Sequence, residues 1–106
     1  MSFKSQRSKA CDFSKETKID MLRRDGYRCI LCRASEGLTP AHYIARSSGG
    51  LGILENGACI CIECHQSLDH STSRQKLLEK FKAYLDKHYP DFTDKERIFN
   101  RRTWLD

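Results

Sequence analysis

Two Cys-x-x-Cys pairs bracket the residues of this chain whose types and spacing could support chemistry. Cys29 and Cys32 form the first pair, and Cys61 and Cys64 form the second. Four thiolates at this spacing suit a tetrahedral zinc ion, whereas secreted proteins use cysteines for disulfides. Residues 1–10, MSFKSQRSKA, contain no apolar run of the kind found in a signal peptide. We therefore expect a reducing, cytoplasmic setting and a structural Zn²⁺ bound by the four cysteines.

Polar residues with catalytic potential lie between and just after these pairs. His42 lies in AHYIARSSGG, Asn56 lies in ENG, and His65 directly follows the second pair. A histidine is largely unprotonated at neutral pH, so His42 could take a proton from water as a general base. His65 and Asp69 are four residues apart, so on a helix they would share one face and could bind one cation. A purely structural role for each histidine, or zinc ligation by His65, is the alternative.

The motifs CILC, AHYIARSSGG, ENG and CIECH resemble, in order and spacing, those of the HNH endonuclease family. The likeness is strongest to the small HNH proteins of phages and prophages, and it covers about residues 27–70. It implies a ββα-metal (His-Me finger) fold and metal-dependent hydrolysis of DNA, leaving 5′-phosphate and 3′-hydroxyl ends. It also implies work alongside phage DNA packaging or recombination proteins. The sequence leaves both a monomer and a homodimer open.

The same resemblance assigns catalytic roles to His42, Asn56 and His65. His42 matches the general base, and Asn56 matches the residue that holds this base in place across the loop. His65 matches a ligand of the catalytic metal ion, with Asp69 as a second ligand. Many family members place a further ligand just before the general base, where this chain has Ala41. Two protein ligands favour a hard, water-rich ion, either Mg²⁺ or Mn²⁺.

The charge of the chain is consistent with a polyanionic partner. Lys and Arg number 19 against 14 Asp and Glu, which gives a formal net charge of +5. Ordinary solubility would explain this balance equally well, but several arginines cluster around the first cysteine pair. We expect Arg24, Arg28 and Arg46 to contact DNA, mainly through its phosphates.

Local sequence signals define the elements that must position these residues. Residues 1–12 are expected to form a flexible basic arm, and residues 13–106 a single domain with zinc knuckles and a ββα core over 27–70. Ser14 is a candidate N-cap for a helix over residues 15–25, which Gly26 would end in a left-handed conformation. The predicted order then runs strand 38–45, loop 46–56, strand 57–62 and helix 62–70.

C-terminal helices are predicted over residues 73–105. A helix over 75–89 has an apolar stripe at helical spacing and stops before Pro90. Thr93 and Glu96 have the spacing of a capping box at the start of a short last helix, and Trp104 is expected to pack back on the domain.

The predicted fold class is therefore α+β: a small zinc-stapled ββα-metal domain with flanking helices. No stretch approaches the roughly 18 apolar residues of a membrane span. A non-catalytic, zinc-stapled nucleic-acid-binding module is the alternative function, and Ala41 is the feature that favours it. A third hypothesis is that the chain is a protein adaptor that binds a partner through the helix over 75–89.

Overall fold

The computed structural model describes residues 6–70 and 72–100, which contain four α-helices and one two-stranded sheet. The elements are α1 (Gln6–Cys11), α2 (Lys15–Arg24), β1 (Leu38–His42), β2 (Gly57–Cys61), α3 (Ile62–His70) and α4 (Arg74–His88). Single 3-10 turns cover Arg46–Ser48, Leu54–Asn56 and Lys95–Arg97. No helix in these two ranges is long and apolar enough to cross a membrane.

The sheet is antiparallel, and its register runs from the pair Leu38–Cys61 to the pair His42–Gly57. The α3 helix begins at Ile62, directly after β2, so the two strands are followed at once by a helix. One buried apolar cluster joins the sheet to α3 and α4, and includes Ala41, Ala58, Ile60, Leu68, Phe81 and Leu85. This architecture confirms the predicted α+β class.

The α2 helix begins and ends at the signals that the sequence contains. The Ser14 side chain accepts a hydrogen bond from the Thr17 N–H at 3.0 Å. At the other end Gly26 has a φ of 67°, and the Tyr27 N–H donates to the Leu22 carbonyl at 2.9 Å. This pairing is a Schellman motif, which satisfies carbonyls at a helix end. The predicted N-cap and the predicted left-handed glycine are both confirmed.

The N-terminal segment is ordered against the loop between the strands. Residues Gln6–Cys11 form α1, and both Ala10 and Cys11 are buried. The Gly52 N–H donates to the Ala10 carbonyl at 2.9 Å, and a Cβ on Gly52 would lie 2.2 Å from the Asp12 carbonyl oxygen. Only glycine permits this close backbone approach. Residues 6–12 of the predicted flexible arm thus contain a helix that packs on the loop, while residues 1–5 lie outside the described ranges.

The C-terminal part differs from the prediction in one element. The capping box is present, because the Thr93 N–H donates to Glu96 Oε1 at 3.0 Å, but it begins a single 3-10 turn rather than a helix. The chain then extends, and Ile98 forms a β-bridge with Gly50. Arg97, at the end of this turn, is only 1% exposed, and its Nε donates to the Glu55 carbonyl at 2.7 Å. Trp104 lies outside the described residues.

Candidate active site and metal centre

The four paired cysteines converge on one point. The Sγ atoms of Cys29, Cys32, Cys61 and Cys64 all lie within 4.8 Å of one another, and those of Cys32 and Cys61 are 3.6 Å apart. Zinc–sulfur bonds of about 2.3 Å in a tetrahedron place the sulfurs about 3.8 Å apart. All four thiols are free of disulfides. The donor set and its spacing therefore fit a tetrahedral metal ion such as zinc.

Backbone N–H groups donate hydrogen bonds to two of the four cysteine sulfurs, whereas burial raises the pKa of Cys64. The Leu31 N–H donates to Cys29 Sγ at 3.4 Å, and the Cys64 N–H donates to Cys61 Sγ at 3.5 Å. Burial of Cys29 opposes ionisation, but backbone hydrogen bonds, from Cys61 first and then from Cys32 and Leu31, lower its pKa to about 7. Hydrogen bonds to a thiolate stabilise the form that binds metal.

The orientation of His42 is fixed by the N-terminal segment. Its Nε2 lies 2.7 Å from the Cys11 carbonyl oxygen, and its ring lies against the Phe13 ring, with centroids 4.2 Å apart. A carbonyl oxygen can only accept a hydrogen bond, so Nε2 must carry the proton. The free lone pair of the neutral His42 ring therefore lies on Nδ1.

The surroundings of His42 keep its ring neutral. Burial lowers its pKa below the ordinary value of 6.5, and the positive charge of Arg46 lowers it further. The hydrogen bond to Cys11 and the negative charge of Asp12 act in the opposite direction. His65 is close enough to contribute a small lowering effect. At neutral pH, Nδ1 is thus free to accept a proton.

An open cleft of about 350 Å³ lies beside His42 and is lined by Asp12, Phe13, Lys18, Pro40 and His42. Next to it, Arg46 Nη2 lies 2.7 Å from Asp12 Oδ1, and 48% of the Arg46 side chain is exposed. An exposed ion pair of this kind contributes little stability, because water solvates both partners. A phosphate that enters the cleft can therefore compete with Asp12 for Arg46 at little cost.

Asn56 holds the loop that follows His42. Its side chain is fully buried, and its Nδ2 donates to the carbonyls of Leu51 at 2.9 Å and of Ile44 at 3.2 Å. Its Oδ1 accepts from the Ile44 N–H at 2.9 Å. After a last backbone hydrogen bond from the Tyr43 N–H to the Asn56 carbonyl at 2.8 Å, the Asn56 side chain takes both backbone groups of Ile44, so β1 ends at His42 and not at residue 45 as predicted. The Asn56 amide therefore forms hydrogen bonds across the loop between β1 and β2.

His65 and Asp69 lie one turn apart on α3. His65 Nδ1 is 2.9 Å from the Thr39 hydroxyl oxygen, and Asp69 is exposed. Within the described ranges, the four cysteines form the only group of three or more candidate ligands that lie together. Ala41 is 1% exposed and belongs to the core, so the position before His42 is packed and offers no ligand. The structure thus supplies at most two protein ligands here.

Arg24, for which the sequence suggested a contact with DNA, forms its hydrogen bonds inside the protein. Its guanidinium has five N–H donors, and all five are used inside the protein. Two bond the Asp25 carboxylate, at 2.7 and 3.2 Å, and the others bond the carbonyls of Leu54 and Gly57, both at 2.6 Å, and the Tyr89 hydroxyl at 3.3 Å. These bonds leave no donor of Arg24 for phosphate, which argues against the predicted DNA contact.

Arg28 stays available at the surface. It is exposed, and its Nη1 donates to the Arg33 carbonyl at 2.9 Å, which leaves its other donors to solvent or a ligand. Sequence reasoning missed the residues that orient the histidines, namely Cys11, Asp12, Phe13 and Thr39. One signal for Phe13 exists, because an apolar residue directly before an N-cap often fixes the path of the chain into the helix. No local signal marks a backbone carbonyl such as that of Cys11.

Neither the models of known protein families nor the curated proteins contain a match to this chain. The roles considered for His42, Asn56 and His65 therefore depend on their geometry and on the motif resemblance.

Proposed function

We propose that this protein is a metal-dependent DNA endonuclease of the HNH type with a ββα-metal fold. The observation that carries the proposal is the state of His42. Its Nε2 is held by the Cys11 carbonyl at 2.7 Å, its Nδ1 has the free lone pair, and its pKa is lowered by burial and by Arg46. A neutral, fixed imidazole beside an open cleft has the properties of a general base.

The side chains of this protein account for the proton transfer and the binding of substrate. A water oxygen forms a bond to phosphorus, its proton moves to His42 Nδ1, and the bond between phosphorus and the 3′ oxygen breaks while a solvent water protonates that oxygen. The products have 5′-phosphate and 3′-hydroxyl ends. Asn56 keeps the loop after His42 in one shape, and Arg46 binds a neighbouring phosphate in place of Asp12.

A divalent ion fits the chemistry of His65 and Asp69, an imidazole and a carboxylate on one helix face. When bound, Mg²⁺ or Mn²⁺ would supply positive charge to the phosphate and the leaving oxygen. The cysteine cluster has a different role, because four thiolates leave no open position for substrate on a tetrahedral ion. We therefore assign it a structural Zn²⁺. DNA is the proposed partner, and phage packaging or recombination proteins remain partners that only the resemblance suggests.

A non-catalytic, zinc-stapled nucleic-acid-binding module is the second candidate. One observation favours it: Ala41 is packed in the core, so a third protein ligand is missing from the catalytic metal site. In that case, binding to DNA would persist without any cleavage.

Cleavage of supercoiled plasmid distinguishes these two functions. We would incubate the wild type, His42→Ala and the control His88→Ala with Mg²⁺, Mn²⁺ or EDTA. His88 is an exposed histidine on α4, next to the rings of Tyr84 and Tyr89, so its loss tests for unspecific effects. Loss of a general base costs about 100- to 10,000-fold in rate, whereas His88→Ala should cleave like the wild type.

The form of the product and the binding data complete this test. A monomer with one site should yield nicked circles before linear DNA, while a homodimer should yield linear DNA early. If His42→Ala cleaves as fast as the wild type, His42 is not the base. If the wild type binds DNA but leaves it intact with every metal, the binding module is the correct function.

A further inference from the structure

Thr39 lies between His65 and the backbone of β2, and its hydroxyl contacts both. Thr39 Oγ1 is 2.7 Å from the Ile60 carbonyl oxygen and 2.9 Å from His65 Nδ1. A hydroxyl has only one proton to donate. The carbonyl cannot donate, so the Thr39 proton must lie on the bond to Ile60.

The direction of the second hydrogen bond follows from the first. With its proton used, Thr39 Oγ1 can only accept from His65, so His65 Nδ1 must carry a proton. In the neutral ring this leaves the lone pair on Nε2. The chain of donors runs from His65 Nδ1 through the Thr39 hydroxyl to the Ile60 carbonyl, in one direction only.

We propose that Thr39 is a positioning residue that fixes the tautomer and the orientation of His65, and so reserves His65 Nε2 for a divalent cation. Histidines that bind metal generally donate their other ring N–H to a fixed acceptor, which orients the ring and raises the basicity of the ligating nitrogen. Here a side chain on β1 supplies that acceptor to a ligand on α3. The inference depends on the proposed function only for the identity of the ion.

The location of Thr39 supports this role over simple packing. It pairs with Ile60 in the sheet, a place where valine would fit the strand equally well. The hydroxyl is the only part of its side chain that a valine would lack. The site has only two candidate protein ligands, both on α3. Free rotation of the His65 ring would therefore lower its affinity for a metal ion more than in a site with three or four ligands.

The test compares Thr39→Val, which removes the hydroxyl at nearly constant shape, with Thr39→Ser, which keeps it. Long-range ¹⁵N–¹H NMR spectra of the full, zinc-loaded chain report which nitrogen of each of its 4 histidines is protonated, and His65→Gln assigns the signal. Isothermal titration calorimetry with Mn²⁺ measures the affinity of each variant for this ion. Zinc content and circular dichroism check that each variant is folded.

We expect His65 to be protonated on Nδ1 in the wild type and in Thr39→Ser. In Thr39→Val the ring should become a mixture of tautomers, and Mn²⁺ affinity should fall about 10- to 100-fold. A wild-type His65 protonated on Nε2 would overturn the proposal. So would a folded Thr39→Val variant with the wild-type tautomer and affinity.

Failure of this inference can be told apart from failure of the nuclease proposal. If Thr39 controls the tautomer and Mn²⁺ affinity but the wild type does not cleave plasmid, the role of Thr39 stands and the nuclease proposal falls. If the wild type cleaves plasmid and Thr39→Val retains wild-type Mn²⁺ affinity, only the role of Thr39 falls.

Discussion

At the scale of single residues, the protonation of His42 links the fold to the proposed reaction. Burial is the largest cause of its lowered pKa, followed among the lowering effects by the charge of Arg46. Between the folded pKa and the ordinary value of 6.5, the folded protein binds fewer protons than the unfolded chain. His42 therefore contributes stability above pH 6.5, and this contribution is lost as the pH falls through its folded pKa. Cleavage should decline over the same acidic range, because a protonated ring cannot act as a base.

The ion pair between Arg46 and Asp12 offers a direct test of this electrostatic account. Arg46→Gln should raise the pKa of His42 toward its ordinary value, because a nearby positive charge is removed. Asp12→Asn should lower the pKa further, because Arg46 is then unopposed. NMR titration of the His42 ring protons measures both shifts. Two shifts of the same sign, or a pKa above 6.5 in the wild type, would contradict this explanation.

At the scale of elements, Arg24 and Asp25 connect parts of the chain that are distant in sequence. Asp25 accepts from the Cys59 N–H at 2.8 Å and from the Tyr84 hydroxyl, while Arg24 bonds the carbonyl of Leu54. The end of α2 is thereby joined to β2, to α4 and to the turn before β2. This turn contains Asn56, so the pair also supports the loop beside His42.

Arg24→Gln should therefore damage the fold, whereas Arg28→Gln should damage DNA binding alone. Removal of one partner of a buried ion pair leaves the other charge uncompensated and typically costs about 3–5 kcal/mol. Substitution of the exposed Arg28 should lower the free energy of unfolding by less than about 0.5 kcal/mol. It should, however, weaken binding to DNA and reduce the dependence of that binding on salt. Urea denaturation and fluorescence anisotropy measure the two effects. Equal stability of both variants would contradict the structural role of Arg24.

The elements also show how far the sequence alone leads. Ser14 begins α2 and Gly26 ends it through hydrogen bonds and backbone conformations that involve only residues close in sequence. The limits of α2 could therefore be predicted from local signals. The end of β1 is set instead by Asn56, fourteen residues after His42, and α1 is ordered by contact with the loop at Gly52. Such contacts depend on which distant segments meet, and no periodicity encodes them. The four cysteines could be predicted to converge because their spacing and chemistry are shared by zinc knuckles.

At the scale of the whole molecule, the cysteine cluster joins segments that a small core would hold weakly. Cys29 and Cys32 lie in the turn after α2, whereas Cys61 ends β2 and Cys64 lies in α3. A metal ion bound at this point would tie the N-terminal half to the ββα segment. A domain of 106 residues buries only a modest apolar area, and chains of this size often depend on such staples.

Removal of zinc should therefore unfold or loosen the domain. Binding of a structural zinc ion contributes about 10 kcal/mol or more, which is comparable with the whole folding free energy of about 5–15 kcal/mol for a small domain. Chelation, or Cys64→Ser, should abolish the cooperative thermal transition followed by circular dichroism. Cys59→Ala also removes a buried thiol, but it should retain one zinc per chain and lose only about 1 kcal/mol of packing energy. An unchanged Tm after complete loss of zinc would show that the core alone sustains the fold, and the four thiols would then need another explanation.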